Sequence, residues 1–277
     1  MNPKINILVT LDENYIPRLN VMLCSMLWSN PGASFDVYLL QSSVKRRALE
    51  MTERILGERG RLILVKAEEE RLAGAPTTSR YPKEIYYRIF AARYLPQNLD
   101  RVLYLDPDLI VNGDVSELYG MDMGKSFFAA ASHVTGLLLQ RVNEIRLDTE
   151  ENSPYINSGV MLMNLERLRS EQDFGEVFDF IEKHKKTLVL PDQDIISGLY
   201  GPRIISLNPY YYNMTERLFM AHLFDTEKFT ADWVRENSVI IHYCGRNKPW
   251  KNNYFGSLDV FYKETEERMK KEYGIDI

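Results

Sequence analysis

The chain has little cysteine, no long apolar run and no excess of positive charge, and each shortage removes a class of protein. Cys24 and Cys244 are the only two cysteines in 277 residues. Both lie in apolar stretches, with no second Cys or His at metal-ligand spacing. They read as buried free thiols in a reducing compartment, not as a disulfide frame or a zinc site. No apolar stretch reaches the length of a membrane span. The N-terminus runs directly into INILVTL without the cleavage pattern of a secretory leader. A net charge of −5 and a pI near 5.6 are the opposite of the basic footprint of a general nucleic-acid binder. The expected setting is cytoplasmic, with no nucleic-acid partner and at most peripheral contact with the inner face of a membrane.

Two nucleotide signatures are also missing. No G-x-G-x-x-G follows the first strand, and there is no Walker A loop. Any nucleotide must therefore be held by another route. What is present is an ordinary globular composition, 45% hydrophobic and 26% charged. Apolar patterning predicts strands at 5–11, 35–40, 61–66 and up to Asp106. Helices are expected between them at 17–28, with Pro17 in the first turn, and at 44–59 and 83–95. Such alternation predicts an α/β fold with a mostly parallel central sheet flanked by helices. The second half is less regular, with strands at 127–132, 160–164, 204–207 and 239–243. Its helices are expected at 166–186 and 192–200. One domain over residues 1–250 is expected, followed by a charged helical tail, 251–277, solvated on the surface.

Residues 101–114, RVLYLDPDLIVNGD, carry the most chemistry. An apolar run delivers Asp106 and Asp108, and Pro107 cannot donate to a central ladder, so the strand should end there. Ligands of α/β folds bind at such strand ends. Two hard oxygen ligands suit a divalent cation that also holds phosphate oxygens. The bland alternative for a bare Asp-X-Asp is a pair of solvated aspartates. Four other segments add weight. The first strand runs into Asp12-Glu13-Asn14-Tyr15, which can hydrogen-bond a base edge and stack on it, although it is also ordinary loop chemistry. Gly159 in Asn157-Ser158-Gly159 permits close backbone approach. Pro191-Asp192-Gln193-Asp194 opens a helix whose N-terminal dipole suits carboxylates, and capping accounts for one of those two Asp residues. The segment IIHYCGRNKPW places His242 on a strand, followed by Gly245, Lys248 and Trp250. It suits a metal ligand beside a phosphate-binding lysine, against the alternatives of a core histidine and a packing tryptophan. Asn213-Met214-Thr215 matches a glycosylation sequon, by chance if the protein is cytoplasmic.

In order, LDENY, VLYLDPDLIVNGD, NSGVMLMNL, PDQDIISGL and HYCGRNKPW resemble glycosyltransferase family 8 from about Ile5 to Trp250. These are retaining enzymes that include bacterial lipopolysaccharide galactosyl- and glucosyltransferases and glycogenin. The resemblance implies a GT-A fold, with a Rossmann-like nucleotide-binding half and an acceptor-binding half. It implies a UDP-hexose donor, glucose or galactose, a saccharide acceptor, and Mn²⁺ (or Mg²⁺) held by Asp106, Asp108 and His242. By the same resemblance Asp12, Asn14 and Tyr15 hold uracil and ribose, with Thr10 and Pro107 also in the donor site. Arg88 holds the donor-sugar region, Asn157, Asp192 and Gln193 face the hexose, and Gly245 and Lys248 bind the diphosphate. Asp192, Gln193 and Asp108 form the catalytic set. Two departures concern the acceptor: His133 stands where several relatives have Asp, and the loop at 71–80 has no obvious match.

Three other readings are weighed. A phosphatase of the haloacid-dehalogenase type also uses Asp-X-Asp after a strand, but it wants Thr or Val where this chain has Ile110, and it leaves the distant segments unexplained. A nucleotide-sugar binder without transfer activity has little use for the whole residue set. A self-glycosylating, glycogenin-like protein needs an acceptor tyrosine, and nothing singles one out among 17.

Overall fold

The computed structural model describes residues 4–67, 84–132, 137–221 and 230–274. The apolar runs of the first half form strands β1 (Lys4–Thr10), β2 (Ser34–Gln41), β3 (Gly60–Lys66) and β4 (Arg101–Leu105). They lie parallel in the order β3-β2-β1-β4. Side chains alternate across the sheet. Ile5, Ile7 and Val9 pack on one face with Leu19, Met22 and Met26 of the Ile16–Ser29 helix. Leu8 packs on the other face with Tyr86, Tyr87 and Phe90. Both faces are thus covered, as a parallel sheet requires. Strand order reverses at β1, which has β2 on one side and β4 on the other. A crevice therefore opens between the carboxyl ends of β1 and β4.

The sheet continues through β7 (Val160–Asn164), β6 (Phe128–Ala131) and β8 (Ile204–Leu207). β7 runs against both its neighbours, and β6 and β8 are parallel to each other. Because β7 is reversed, its start lies beside the end of β4, with Val160 opposite Leu105. Residues 157–159, just before β7, therefore reach the same edge as Asp106.

The mostly parallel α/β sheet agrees with expectation, but several local elements do not. A second sheet pairs β5 (Leu109–Val111) antiparallel with β9 (Ile240–His242). Three apolar residues after Asp-Pro-Asp give too short a pattern to announce a strand. The expected helix at 166–186 is two helices, Leu165–Glu171 and Phe174–His184, because Asp173 caps the second by accepting from the Gly175 N–H. The expected helix at 83–95 is interrupted after Tyr87 by a turn at 88–90, and the one at 44–59 contracts to Glu50–Leu56 between short 3₁₀ turns. Helices Ser116–Gly120 and Leu137–Leu147 were not anticipated. The C-terminal helix Asp259–Tyr273 is solvated on one side, while Phe261, Tyr262 and Met269 are buried on the other. His133 and the loop at 71–80 lie outside the described residues.

Candidate functional site

The end of β4 is set by backbone chemistry. The Asp106 N–H donates to the Gly159 carbonyl at 2.8 Å, and Pro107, which is buried, has no N–H to offer. The chain then turns so that Leu109 of β5 lies opposite His242 of β9, and the Tyr243 N–H reaches the Asp108 carbonyl at 3.0 Å. The small second sheet thereby delivers His242 to the two aspartates. One ligand atom from each of Asp106, Asp108 and His242 lies within 4.8 Å of the others. His242 Nε2 is 3.2 Å from Asp108 Oδ1 and 3.8 Å from Asp106 Oδ2. Gly159 faces this cluster: a Cβ there would lie 2.3 Å from His242 Cε1 and 2.7 Å from Asp106 Oδ2. Only glycine lets His242 and Asp106 approach the backbone so closely.

Two buried cations flank the cluster. Arg88, in the turn after Tyr87, spans Asp106 Oδ1 at 3.1 Å and Asp192 Oδ2 at 3.0 Å. Its guanidinium also lies 4.4 Å from the Tyr104 ring centre. Lys248 donates to Asp108 and to the Tyr243 carbonyl. Burial alone would favour the neutral forms of Asp108 and Lys248. Facing each other, both stay charged: Lys248 and His242 hold the Asp108 carboxyl well below the usual range, and Asp108 raises Lys248. Asp192 differs, because burial raises its carboxyl even against Arg88 and the Ser158 hydroxyl, which donates at 2.6 Å.

Asp192 and Gln193 occupy the first turn of the Pro191–Tyr200 helix. Gln193 Oε1 accepts from Asn157 Nδ2 at 2.8 Å, so the two segments meet as expected. Asp194 is the structural member of the pair of acids. It accepts from both Arg146 amino groups at 2.7 Å, from Tyr155 at 2.7 Å, and from the Val189 and Leu190 N–H groups.

The remaining expected residues lie nearer the mouth. Thr10 shares a 2.9 Å hydrogen bond with Tyr104, whose hydroxyl donates to Asp106 Oδ1 at 2.7 Å. Asp12 accepts from the Asn14 N–H at 2.8 Å and shapes the turn, and the Asn14 side chain is exposed. Tyr15 is half-buried and stands edge-on to Trp250, with ring centres 6.5 Å apart. Gly245 is exposed with φ +80°, a conformation that favours glycine. Among the described residues neither Cys24 nor Cys244 is in a disulfide; Cys24 is buried as expected, whereas Cys244 is half-buried, and desolvation pushes their thiols up to about 12 and about 11.

Sequence reasoning missed Tyr104, Ser158 and Asn213. Tyr104 looks like strand packing, and only its position two residues before Asp106, on the same side of the strand, hints at its role. The donor set, two carboxylates and one imidazole, fits a divalent cation. The charges agree: among the described residues, Asp106, Asp108 and Asp192 face two fixed cations, Arg88 and Lys248.

Comparisons with known proteins cover nearly the whole chain. Lipopolysaccharide 1,2-glucosyltransferase of Escherichia coli is 28% identical over 257 residues, 91% of this chain and 75% of that protein. Lipopolysaccharide 1,3-galactosyltransferase of Salmonella typhimurium is 26% identical over 258 residues, 89% of this chain and 73% of that protein. The crystal structure of the galactosyltransferase LgtC, in complex with donor and acceptor sugar analogs, superposes with a TM-score of 0.80 at 23% identity. It covers 94% of this chain and 95% of LgtC, and identifies the fold as the expected GT-A type. Among the described residues, no helix is long and apolar enough to cross a membrane. The sequence model of glycosyl transferase family 8 matches residues 6–254, nearly the whole chain. The chain therefore belongs to glycosyl transferase family 8.

Proposed function

We propose that this protein transfers a hexose, glucose or galactose, from a UDP-sugar to a saccharide acceptor in lipopolysaccharide or another cell-surface glycan, with retention of configuration. The observation that carries this reading is the convergence of Asp106, Asp108 and His242 at the reversal of strand order, beside Lys248. Asp106, Asp108 and His242 would hold Mn²⁺, which accepts mixed oxygen and nitrogen ligands. When bound, the cation supplies Lewis-acid neutralisation of the leaving diphosphate. Relatives that transfer glucose and galactose to lipopolysaccharide support the class of donor and acceptor.

Each residue has a task in this reading. Asp12, Asn14 and Tyr15 hold the uridine, with Thr10 and Pro107 in the adjoining wall. Gly245 and Lys248 receive the diphosphate, whose developing charge the buried ammonium stabilises. Arg88 orients the donor-sugar region through Asp106 and Asp192. Asn157, Asp192 and Gln193 face the hexose, and Asp192 orients its hydroxyls. A retaining glycosidase would place a carboxylate nucleophile behind the anomeric carbon. Gln193 is a poor nucleophile, and its carbonyl already accepts from Asn157. The acceptor oxygen therefore attacks on the face that UDP leaves. The new bond forms from that oxygen to the anomeric carbon as the bond from carbon to phosphate oxygen breaks, and the departing phosphate takes the acceptor proton.

The test is UDP release from a panel of nucleotide sugars, with and without Mn²⁺. The expected result is Mn²⁺-dependent turnover of one UDP-hexose, absent in Asp108→Asn. No turnover and no UDP binding by calorimetry would refute the reading. A kinetically competent glycosyl adduct on wild-type Gln193 or Asp192, seen by mass spectrometry, would refute front-face attack.

A further inference from the structure

Asn213 has no place in the mechanism above, yet it is fully buried between His242 and Asn157. Its position is fixed by backbone. Its own N–H donates to the Pro209 carbonyl at 3.0 Å, the next residue's N–H donates to Ile240, and the His242 N–H donates to Met214 at 2.7 Å. Its side chain sits in a directional chain. The Gly159 N–H donates to Asn157 Oδ1 at 3.1 Å, Asn213 Nδ2 donates to the same oxygen at 3.0 Å, and Asn213 Oδ1 lies 2.9 Å from His242 Nδ1. Asn157 Nδ2 continues the chain to Gln193 Oε1.

The orientation of these amides follows from one group that cannot turn over. The Gly159 N–H is backbone and can only donate, so the atom of Asn157 facing it must be the oxygen. That oxygen must then receive the NH₂ of Asn213, since oxygen facing oxygen would repel. Asn213 therefore turns its own oxygen to His242, and Nδ1 must carry a proton. Nε2, the nitrogen that faces Asp106 and Asp108, donates to the Asp108 carboxylate when no cation is present and is the ring atom left to ligate one. Outer partners of this kind set the tautomer of ligating histidines.

We propose that Asn213 is a positioning residue that keeps a proton on His242 Nδ1, so that Nε2 is the atom offered to a cation, and, through Asn157, fixes the carbonyl of Gln193; one hydrogen-bonded chain thus sets both a cation ligand and a donor-facing amide. The inference rests on the reading that Asp106, Asp108 and His242 hold a divalent cation and that Gln193 faces the donor. Two substitutions separate the two links. Asn213→Asp keeps an oxygen for Nδ1–H but has no NH₂ for Asn157. Asn213→Leu, of similar size, has neither.

The experiment uses the full chain labelled with ¹⁵N-histidine, with the His242 resonances assigned from a His242→Gln variant. Long-range ¹H–¹⁵N spectra without metal report the tautomer, and calorimetry with Mn²⁺ alone reports affinity. Wild type and Asn213→Asp are expected to show a proton held on Nδ1 and Mn²⁺ affinities within a few-fold of each other. Asn213→Leu is expected to lose that fixed proton and bind Mn²⁺ about ten-fold to a hundred-fold more weakly. At saturating Mn²⁺ and donor, Asn213→Asp is expected to lose at least about ten-fold in kcat, because Asn157 and Gln193 are released. A wild-type His242 with no proton on Nδ1 would overturn the proposal without any variant, even if Asn213→Leu fails to fold. Equal tautomers and affinities in wild type and Asn213→Leu would overturn it too, as would an unchanged kcat in Asn213→Asp. Wild type that binds no Mn²⁺ would refute the cation site instead, and the spectra would still decide the tautomer.

Discussion

The two ends of the central sheet treat a buried aspartate differently. At the amino end, Asp36 of β2 is met by Lys4 of β1 at 2.6 Å and by Arg61 of β3 at 2.6 Å. Those two cations are 52% and 67% exposed. Their charged heads remain in water, so the carboxylate is neutralised at little desolvation cost. At the carboxyl end, Arg88 and Lys248 are only 7% and 8% exposed. Burying two cations is costly and is tolerated only where several acids surround them. A fold needs nothing of this kind at a sheet edge, and the amino end shows the cheaper arrangement. The difference marks the carboxyl end as a place organised for a charged ligand.

The sharpest way to break the comparison is to neutralise one aspartate at each end. Asp108→Asn is expected to keep the fold and lose at least about 10²–10³ in transfer rate at saturating Mn²⁺, the usual cost of removing one well-placed charge stabiliser. Asp36→Asn is expected to transfer at the wild-type rate. Similar rates in the two variants, measured side by side, would remove the distinction. Next is Arg88→Met, which leaves Asp106 and Asp192 without their shared partner. It is expected to abolish transfer and cost about 3 kcal/mol or more of stability by urea unfolding. A stability near wild type would mean that Arg88 does not balance those acids. A smaller effect is expected from Gly159→Ala, whose new methyl would press on His242 and Asp106. Mn²⁺ affinity, read by calorimetry, should fall by about ten-fold or more; unchanged affinity would show that the pocket can open without cost.

The same contrast explains what could be read from the chain alone. Asp106 and Asp108 were legible because an apolar run and a proline mark the strand end they occupy. The parallel first half was legible because each strand is a continuous apolar run bounded by a helix. The roles of Arg88 and Asn157 rested on resemblance, and the local segment left His242 open between metal ligand and core histidine, since residues far apart in sequence bring them together: His242 reaches Asp108 only through the pairing of β5 with β9. Nothing local announces a three-residue strand whose partner is more than a hundred residues away. Asn213 was hidden for a further reason. A lone asparagine near a short helix looks like turn chemistry, and its effect depends on a carbonyl and an N–H supplied by other segments. Asp194 shows the opposite case, an acid in a suggestive motif that is fully satisfied by backbone and Arg146.

The smallest effect expected belongs to the amino end and is visible only in acid. Burial alone would raise the Asp36 carboxyl, but hydrogen bonds from Arg61 and Lys4 prevail and lower it from its ordinary value. A group depressed in the folded state stabilises the fold above its unfolded pKa, about 3.9 for Asp, and that contribution is lost as pH falls through the folded value. Wild type and Asp36→Asn should therefore differ most at neutral pH, by about 2 °C or less in Tm because the partners are exposed. Their melting curves should converge as pH drops below about 4, where the wild-type carboxyl takes up its proton. High salt should narrow the neutral-pH gap in the same way, by screening the exposed cations. A gap that widened in acid, or one unmoved by salt, would mean that Asp36 is held by something other than the charges of Lys4 and Arg61.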